Sequence, residues 1–217
     1  METFPRADER SRMVEQQIRA RGITNERVLE AMREIPRHLF IPPPYTISAY
    51  TDAPLPIGNN QTISQPYIVA LMTDLLDPQA EDHVLEIGTG SGYQSAILAR
   101  LVSHVTTIER IPSVANLARK NITELGLKNI SIIVGDGTQG YQQNAPYDGI
   151  IITAATPEVP PPLISQLGES GILVAPVGGR EIQELLTLEK SGGRIVQSSH
   201  GGVRFVPLIG EYGWTDT

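Results

Sequence analysis

Cysteine is missing altogether from the 217 residues. Its absence excludes disulfides, thiol nucleophiles and thiolate metal sites together, and it suits a reducing compartment. Positive charge is also scarce. Lys and Arg number 17 against 24 Asp and Glu, a net charge of −7, so bulk attraction to nucleic acid or to an anionic membrane is excluded. No long apolar run occurs; runs such as "GIIIT" over Gly149 to Thr153 are strand-sized and far below the ~20 residues of a membrane span. The first residues, "METFPRADERSRMVEQQIR", are charged throughout and hold no apolar core of signal-peptide length. These absences together lead us to expect a cytoplasmic protein with neither a membrane nor a nucleic-acid partner. The four histidines (His38, His83, His104 and His200) show no metal or triad spacing, and no metal site is expected.

What is present is ordinary in amount, with 40% apolar and 19% charged residues, and is long enough for one buried core. We expect a single domain over residues 1–217, with a helical extension over about 1–82 and an α/β core over about 83–217. In the extension, Met13, Val14 and Ile18 share one side of a helix around Ala7 to Arg21 that stops at Gly22. Thr24 stands as N-cap before Val28, Leu29, Met32 and Ile35, "IPPPY" interrupts regular structure, and a third helix is expected from about Gln65 to Leu76. From His83 onward, short β-type runs alternate with helical ones: "HVLEI", "HVTTIE", "ISIIV", "YDGIIIT", "GILVAPV", "QELLTLEK" and "VRFVPLIG". This alternation predicts an α/β fold, a doubly wound, mostly parallel sheet with helices on both faces. The Gly turn "KSGGR" predicts an antiparallel hairpin at one edge.

"VLEIGTGSG" places Gly88, Gly90 and Gly92 where the first strand of the core passes into a helix. Glycines there let the backbone approach a ligand, at the strand ends where open α/β sheets bind them. The third glycine comes one residue early for the dinucleotide fingerprint, and Tyr93 stands where that fingerprint wants glycine. Glu109 ends the second strand roughly 20 residues after Gly88, where a carboxylate accepts both ribose hydroxyls and repels a 2′-phosphate. Glu86 lies inside a strand that should be buried and therefore needs partners, either backbone amides or the cationic end of a ligand. Asp136, in "GDG", stands at the third strand's rim, in a dipeptide that is also a common turn.

In this order, "LEIGTGSG", "IER", "GDGT" and "YDGIIIT" resemble the class I S-adenosylmethionine-dependent methyltransferases, with their Rossmann-like fold. The resemblance implies that Gly88, Gly90 and Gly92 hold the methionine portion of the cofactor. It assigns the ribose to Glu109 and the adenine to Asp136 with Gly137, and leaves S-adenosylhomocysteine as product. Glu86 is included in this cofactor set.

"QTISQPY", together with "PYDGIIITAATPEVPPPLISQL", "GILVAPVG" and "VRFVPL", narrows the resemblance to the protein-L-isoaspartate O-methyltransferases, from about Arg10 to Leu208. It implies that the substrates are isoaspartyl residues of damaged proteins and peptides, whose free α-carboxylate is methylated so that a succinimide can form. Ser64 falls on the family's active-site serine, Thr62 and Ile63 on its cofactor-contacting loop, and Val206 on a segment whose backbone lines the substrate groove. The Pro-rich loop "ATPEVPPPL" is a further candidate for a groove wall, or else a rigid link into the next helix. Some relatives carry histidines where Tyr67 and Val69 stand here, so these two positions have no acid–base role in this chain.

Read from its own neighbours, Ser64 has neither a nucleophile elbow nor a nearby histidine, and a hydrolase is a poor reading. Either it caps the helix that follows, or it aims an acceptor oxygen that is already ionised. An NAD-dependent oxidoreductase and a non-catalytic peptide-binding protein are the alternatives to a methyltransferase. The sequence is silent on oligomeric state.

Overall fold

The structure is a computed structural model that describes residues 4–216. The chain opens with helix α1 (Ala7–Met13), which continues through a wider turn (Val14–Ile18) and a tight turn (Arg19–Arg21). Gly22 ends the run at φ +98°, the left-handed geometry that favours glycine. Helix α2 (Glu26–Glu34) is capped by Asn25, one residue later than expected, because the Asn25 side chain reaches the Arg27 and Val28 N–H groups at 3.1 and 3.4 Å. Strands β1 (Leu55–Gly58) and β2 (Gln61–Ile63) then form a small antiparallel hairpin that sequence reading missed. Asn59 and Asn60 turn it with φ +51° and +56°, a left-handed pair that asparagine tolerates better than most residues. Helix α3 (Pro66–Leu76) follows directly.

The core elements are β3 (His83–Ile87), α4 (Tyr93–Ala99), β4 (His104–Glu109), α5 (Pro112–Glu124), β5 (Ile130–Val134), β6 (Tyr147–Ile152), α6 (Pro161–Gln166), β7 (Leu167–Gly178), β8 (Gln183–Ser191) and β9 (Arg194–Val203). The sheet order is β5-β4-β3-β6-β7-β8-β9, parallel as far as β7 and antiparallel beyond it. The order reverses between β4 and β6 around β3, so the crevice that such a sheet offers ligands opens above the carboxyl end of β3.

Successive residues of β3 supply opposite faces. Val84 packs with α1–α4 in one buried cluster, while Leu85 and Ile87 join Ile108, Ile150 and Leu163 in the other. Burying each such Ile or Leu side chain stabilises the fold by about 1.5–3 kcal/mol. The "VRFVPLIG" run departs from its expected strand: the ladder strand is the preceding "RIVQSSHGGV", and after Val203 the chain leaves the ladder. Its later residues make isolated bridges instead, Ala155 to Pro207 and Ile209 to Trp214. Among the described residues, no helix is long and apolar enough to cross a membrane.

Candidate active site

At the carboxyl end of β3 the backbone takes left-handed geometry at Gly88 (φ +96°), Gly90 (+55°) and Gly92 (+88°). The turn is held by the Gly88 N–H, which donates to the Ile108 carbonyl at 2.9 Å. Thr153, just after β6, donates its hydroxyl to the Ile87 and Gly88 carbonyls at 2.9 and 2.6 Å. A Cβ on Gly88 would stand 2.6 Å from that hydroxyl, so glycine is required there by both torsion and space. Gly92 does different work. It precedes α4, and a Cβ there would press on Ile122 and Ala118 of α5 at 3.2 and 3.4 Å. Gly92 thus permits helix packing, and it is Gly88 and Gly90 that border the cavity.

Glu109, only 7% exposed, projects from the end of β4 toward this turn. Its two oxygens accept the N–H groups of Gly90 and Ile111, each at 3.0 Å. Each oxygen keeps acceptor capacity, which suits a vicinal diol. Glu109 also lies where two narrow cavities meet, with Gln61, Gly88 and Ala154. One cavity runs over Thr89 to Ser91 toward Ile63 and Ser64; the other is walled by Ile87, Ile108, Ile111 and Leu208 beside Gly137. Backbone amides, one buried carboxylate and an apolar slot form a donor set that fits an adenosine carrying an amino-acid tail.

Asp136 is not in either cavity. Its Oδ1 accepts the Thr138 N–H and hydroxyl at 2.9 and 2.7 Å, and its Oδ2 accepts the Glu211 N–H at 2.8 Å. It anchors the C-terminal segment to the rim of β5, while its neighbour Gly137 faces the slot. The Glu211 partner lies 75 residues away in sequence, a contact that the loop "GDGT" by itself does not announce.

Glu86 lines neither cavity. It is fully buried on the α4 face of the sheet, where the Ser95 hydroxyl donates to its Oε2 and its Oε1 has no partner. Burial pushes its pKa from 4.5 up to about 8, with the Ser95 and Thr107 hydroxyls opposing that rise and Glu109 adding to it. A carboxyl whose pKa rises on folding holds its proton more tightly in the native state, so it costs stability progressively as pH climbs from about 4.5 to about 8. Glu86→Gln is therefore expected to flatten the pH dependence of the urea midpoint across that window while leaving cofactor affinity unchanged. Parallel pH profiles for the two proteins would contradict this.

Ser64 sits between β2 and α3. It does not cap the helix: the N-cap position is Gln65, which makes no side-chain capping bond, and Asp52 accepts the Tyr67 N–H instead, at 3.0 Å. The Ser64 side chain borders the glycine-turn cavity and also an open groove of about 730 Å³. Thr62, Thr153 and Val206 border both as well. The groove's outer walls carry Arg21, Ile68, Glu181, Ile182, Arg204 and Phe205. The Pro-rich loop is not part of its lining, and the Val206 carbonyl is engaged by the Ala155 N–H at 2.7 Å. Thr153 and Gln61 escaped sequence reading. The signals for Gln61 were its place at the head of "QTISQPY" and the Asn-Asn turn before it, which marks a hairpin.

The profile of the protein-L-isoaspartate(D-aspartate) O-methyltransferase family matches residues 8–213. The chain belongs to this family. It is 63% identical to the protein-L-isoaspartate O-methyltransferase of Methanoregula boonei over 211 residues, 97% of each chain. Among solved structures it is similar to a protein-L-isoaspartate O-methyltransferase with TM-score 0.85 and 28% identity, covering 94% of this chain and 67% of that one. It also superimposes on a Plasmodium falciparum protein described as a putative family member in complex with S-adenosyl-L-homocysteine, with TM-score 0.81, 25% identity, and 92% and 98% coverage. The parallel sheet and its antiparallel edge are thus those of the family.

Proposed function

We propose that this chain transfers a methyl group from S-adenosylmethionine to the α-carboxylate of isoaspartyl residues in proteins and peptides, with Ser64 aiming the acceptor oxygen. The observation that carries the reading is the junction itself. Thr62, Ser64, Thr153 and Val206 are the residues shared by groove and cavity, and none of them titrates near neutral pH. A reaction whose acceptor had to lose a proton would need a base there. A free α-carboxyl, with a pKa of roughly 3.3–3.7, is already ionised.

When bound, the cofactor supplies a sulfonium-activated methyl group and leaves as S-adenosylhomocysteine. The chain's part is to hold and orient. Glu109 accepts the ribose hydroxyls, and Gly88 and Gly90 admit the amino-acid end close to the backbone. Thr62 and Ile63 close the cavity from the β2 side, and Gly137 lies against the base. Ser64 donates its O–H to one carboxylate oxygen, which leaves the other to attack, and positioning of this kind is where most of the rate gain arises. The Val206 segment and Phe205 form the wall along which an extended peptide lies. The ester's methoxy group leaves, as methanol, more readily than an oxygen of a free carboxylate, so the adjacent backbone nitrogen attacks the ester carbonyl and closes a succinimide, and hydrolysis returns some normal aspartate.

The test is incubation of the protein with an isoaspartyl peptide and methyl-labelled S-adenosylmethionine. Alkali-labile label on the peptide is expected, and none on the matching aspartyl peptide. Label in an alkali-stable linkage, or peptide binding with no label, would overturn the proposal.

A further inference from the structure

If Ser64 aims the acceptor, something must aim Ser64. Its hydroxyl caps nothing, so the direction of its Cα–Cβ bond depends entirely on the backbone of residues 64–67. That backbone has few local restraints. Pro66 opens α3 without an N–H, and Gln65 makes no side-chain capping bond.

The restraint comes from the loop 49–53, which grips the segment on both sides. On one side stands Arg37, fully buried and with no carboxylate partner. Its guanidinium donates to the carbonyls of Ala49, of Ala53 at 3.1 Å and of Ser64 at 3.0 Å. Burial lowers its pKa to about 10, so it remains a cation at neutral pH and holds these carbonyls by charge-assisted bonds. On the other side stands Asp52, whose side chain is 22% exposed. Its Oδ1 accepts the Tyr67 N–H at 3.0 Å, and its Oδ2 accepts the Gln65 amide at 2.6 Å and Arg21 at 2.8 Å. A carboxylate here also suits the positive end of the helix. Arg21 completes the frame by stacking 3.3 Å over the Tyr67 ring, so both residues that follow Ser64 across Pro66 are tied to one carboxylate.

We propose that Asp52 is a positioning residue for methyl transfer: by tying Gln65 and Tyr67 to the 49–53 loop, opposite the Arg37 bond to the Ser64 carbonyl, it sets the direction of the Ser64 hydroxyl at the junction of groove and cavity. The inference rests on the reading of Ser64 given above. Asp52 itself borders neither the groove nor the two cavities, although Arg21 and Gln65, which it holds, border the groove.

The experiment is a double-mutant cycle of Asp52→Ala and Ser64→Ala, with kcat and KM for an isoaspartyl peptide, the Kd for S-adenosylhomocysteine, and Tm for each protein. Misplacement by about 1 Å costs on the order of a hundredfold in rate, so Asp52→Ala is expected to lower kcat roughly 10- to 100-fold. KM and the cofactor Kd should change less than about threefold, the signature of an interaction felt only in the transition state. In the Ser64→Ala background the same change should cost less than about twofold, because the group it directs is gone. Asp52→Asn keeps one acceptor for the Tyr67 N–H and should recover part of kcat; it carries the same comparison if the alanine variant does not fold. With Ser64→Ala impaired, a wild-type kcat for Asp52→Ala, or equal losses in both backgrounds, would overturn the role of Asp52 alone. A wild-type kcat for Ser64→Ala would instead remove the reading of Ser64, and this inference with it.

Discussion

Ser64→Ala is expected to lower kcat on an isoaspartyl peptide by roughly a hundredfold, the order lost when a reacting atom is misplaced by about 1 Å. The loss should fall on turnover and not on folding. The hydroxyl makes no cap for α3, so the variant deprives no backbone amide of its acceptor, and Tm should move little. The hydroxyl also lies outside the ribose and base ends of the cavity, so the Kd for S-adenosylhomocysteine should stay within about twofold. Steady-state kinetics beside calorimetric titration separates these quantities. Full turnover in the variant would mean that the carboxylate is aimed by the groove backbone alone, and Ser64 would lose its role.

Glu109→Ala should act in the opposite way, on binding before rate. The carboxylate is nearly buried, and each oxygen already carries one backbone N–H, which leaves it preorganised for two ribose hydroxyls. Hydrogen bonds to a charged acceptor contribute about 1.5–3 kcal/mol, so cofactor affinity should fall roughly 10- to 150-fold by calorimetry. Some stability should go with it. The N–H groups of Gly90 and Ile111 lose their acceptors, and an unsatisfied buried donor costs about 1–3 kcal/mol. Glu109→Gln keeps one acceptor oxygen and should lie between the two. Unchanged affinity in the alanine variant would remove Glu109 from the ribose site.

The two carboxylates Glu86 and Glu109 show what could be read and what could not. Both lie in core strands and both are buried, and a one-dimensional pattern treats them alike. Yet Glu86 belongs to the sheet face that α4 covers, and Ser95 meets it there, whereas Glu109 leaves its strand at the crevice. Gly92 and Gly88 diverge for a similar reason. A glycine pattern announces where the backbone must turn, but not which neighbour a Cβ would strike, and that neighbour is α5 for Gly92 and Thr153 for Gly88.

The strand–helix alternation and the glycine turn after β3 were legible in the order of residues because each follows from local torsion and side-chain periodicity, which depend on near neighbours alone. The β1–β2 hairpin could have been found in the same way from its Asn-Asn turn. Tertiary structure alone decided that Asp136 holds Glu211, that Thr153 braces Gly88, and that Arg37 and Asp52 grip the segment after β2. Those pairings join chain positions far apart in sequence, and hydrogen bonds of that kind exist only once the chain has folded and excluded water from between the partners.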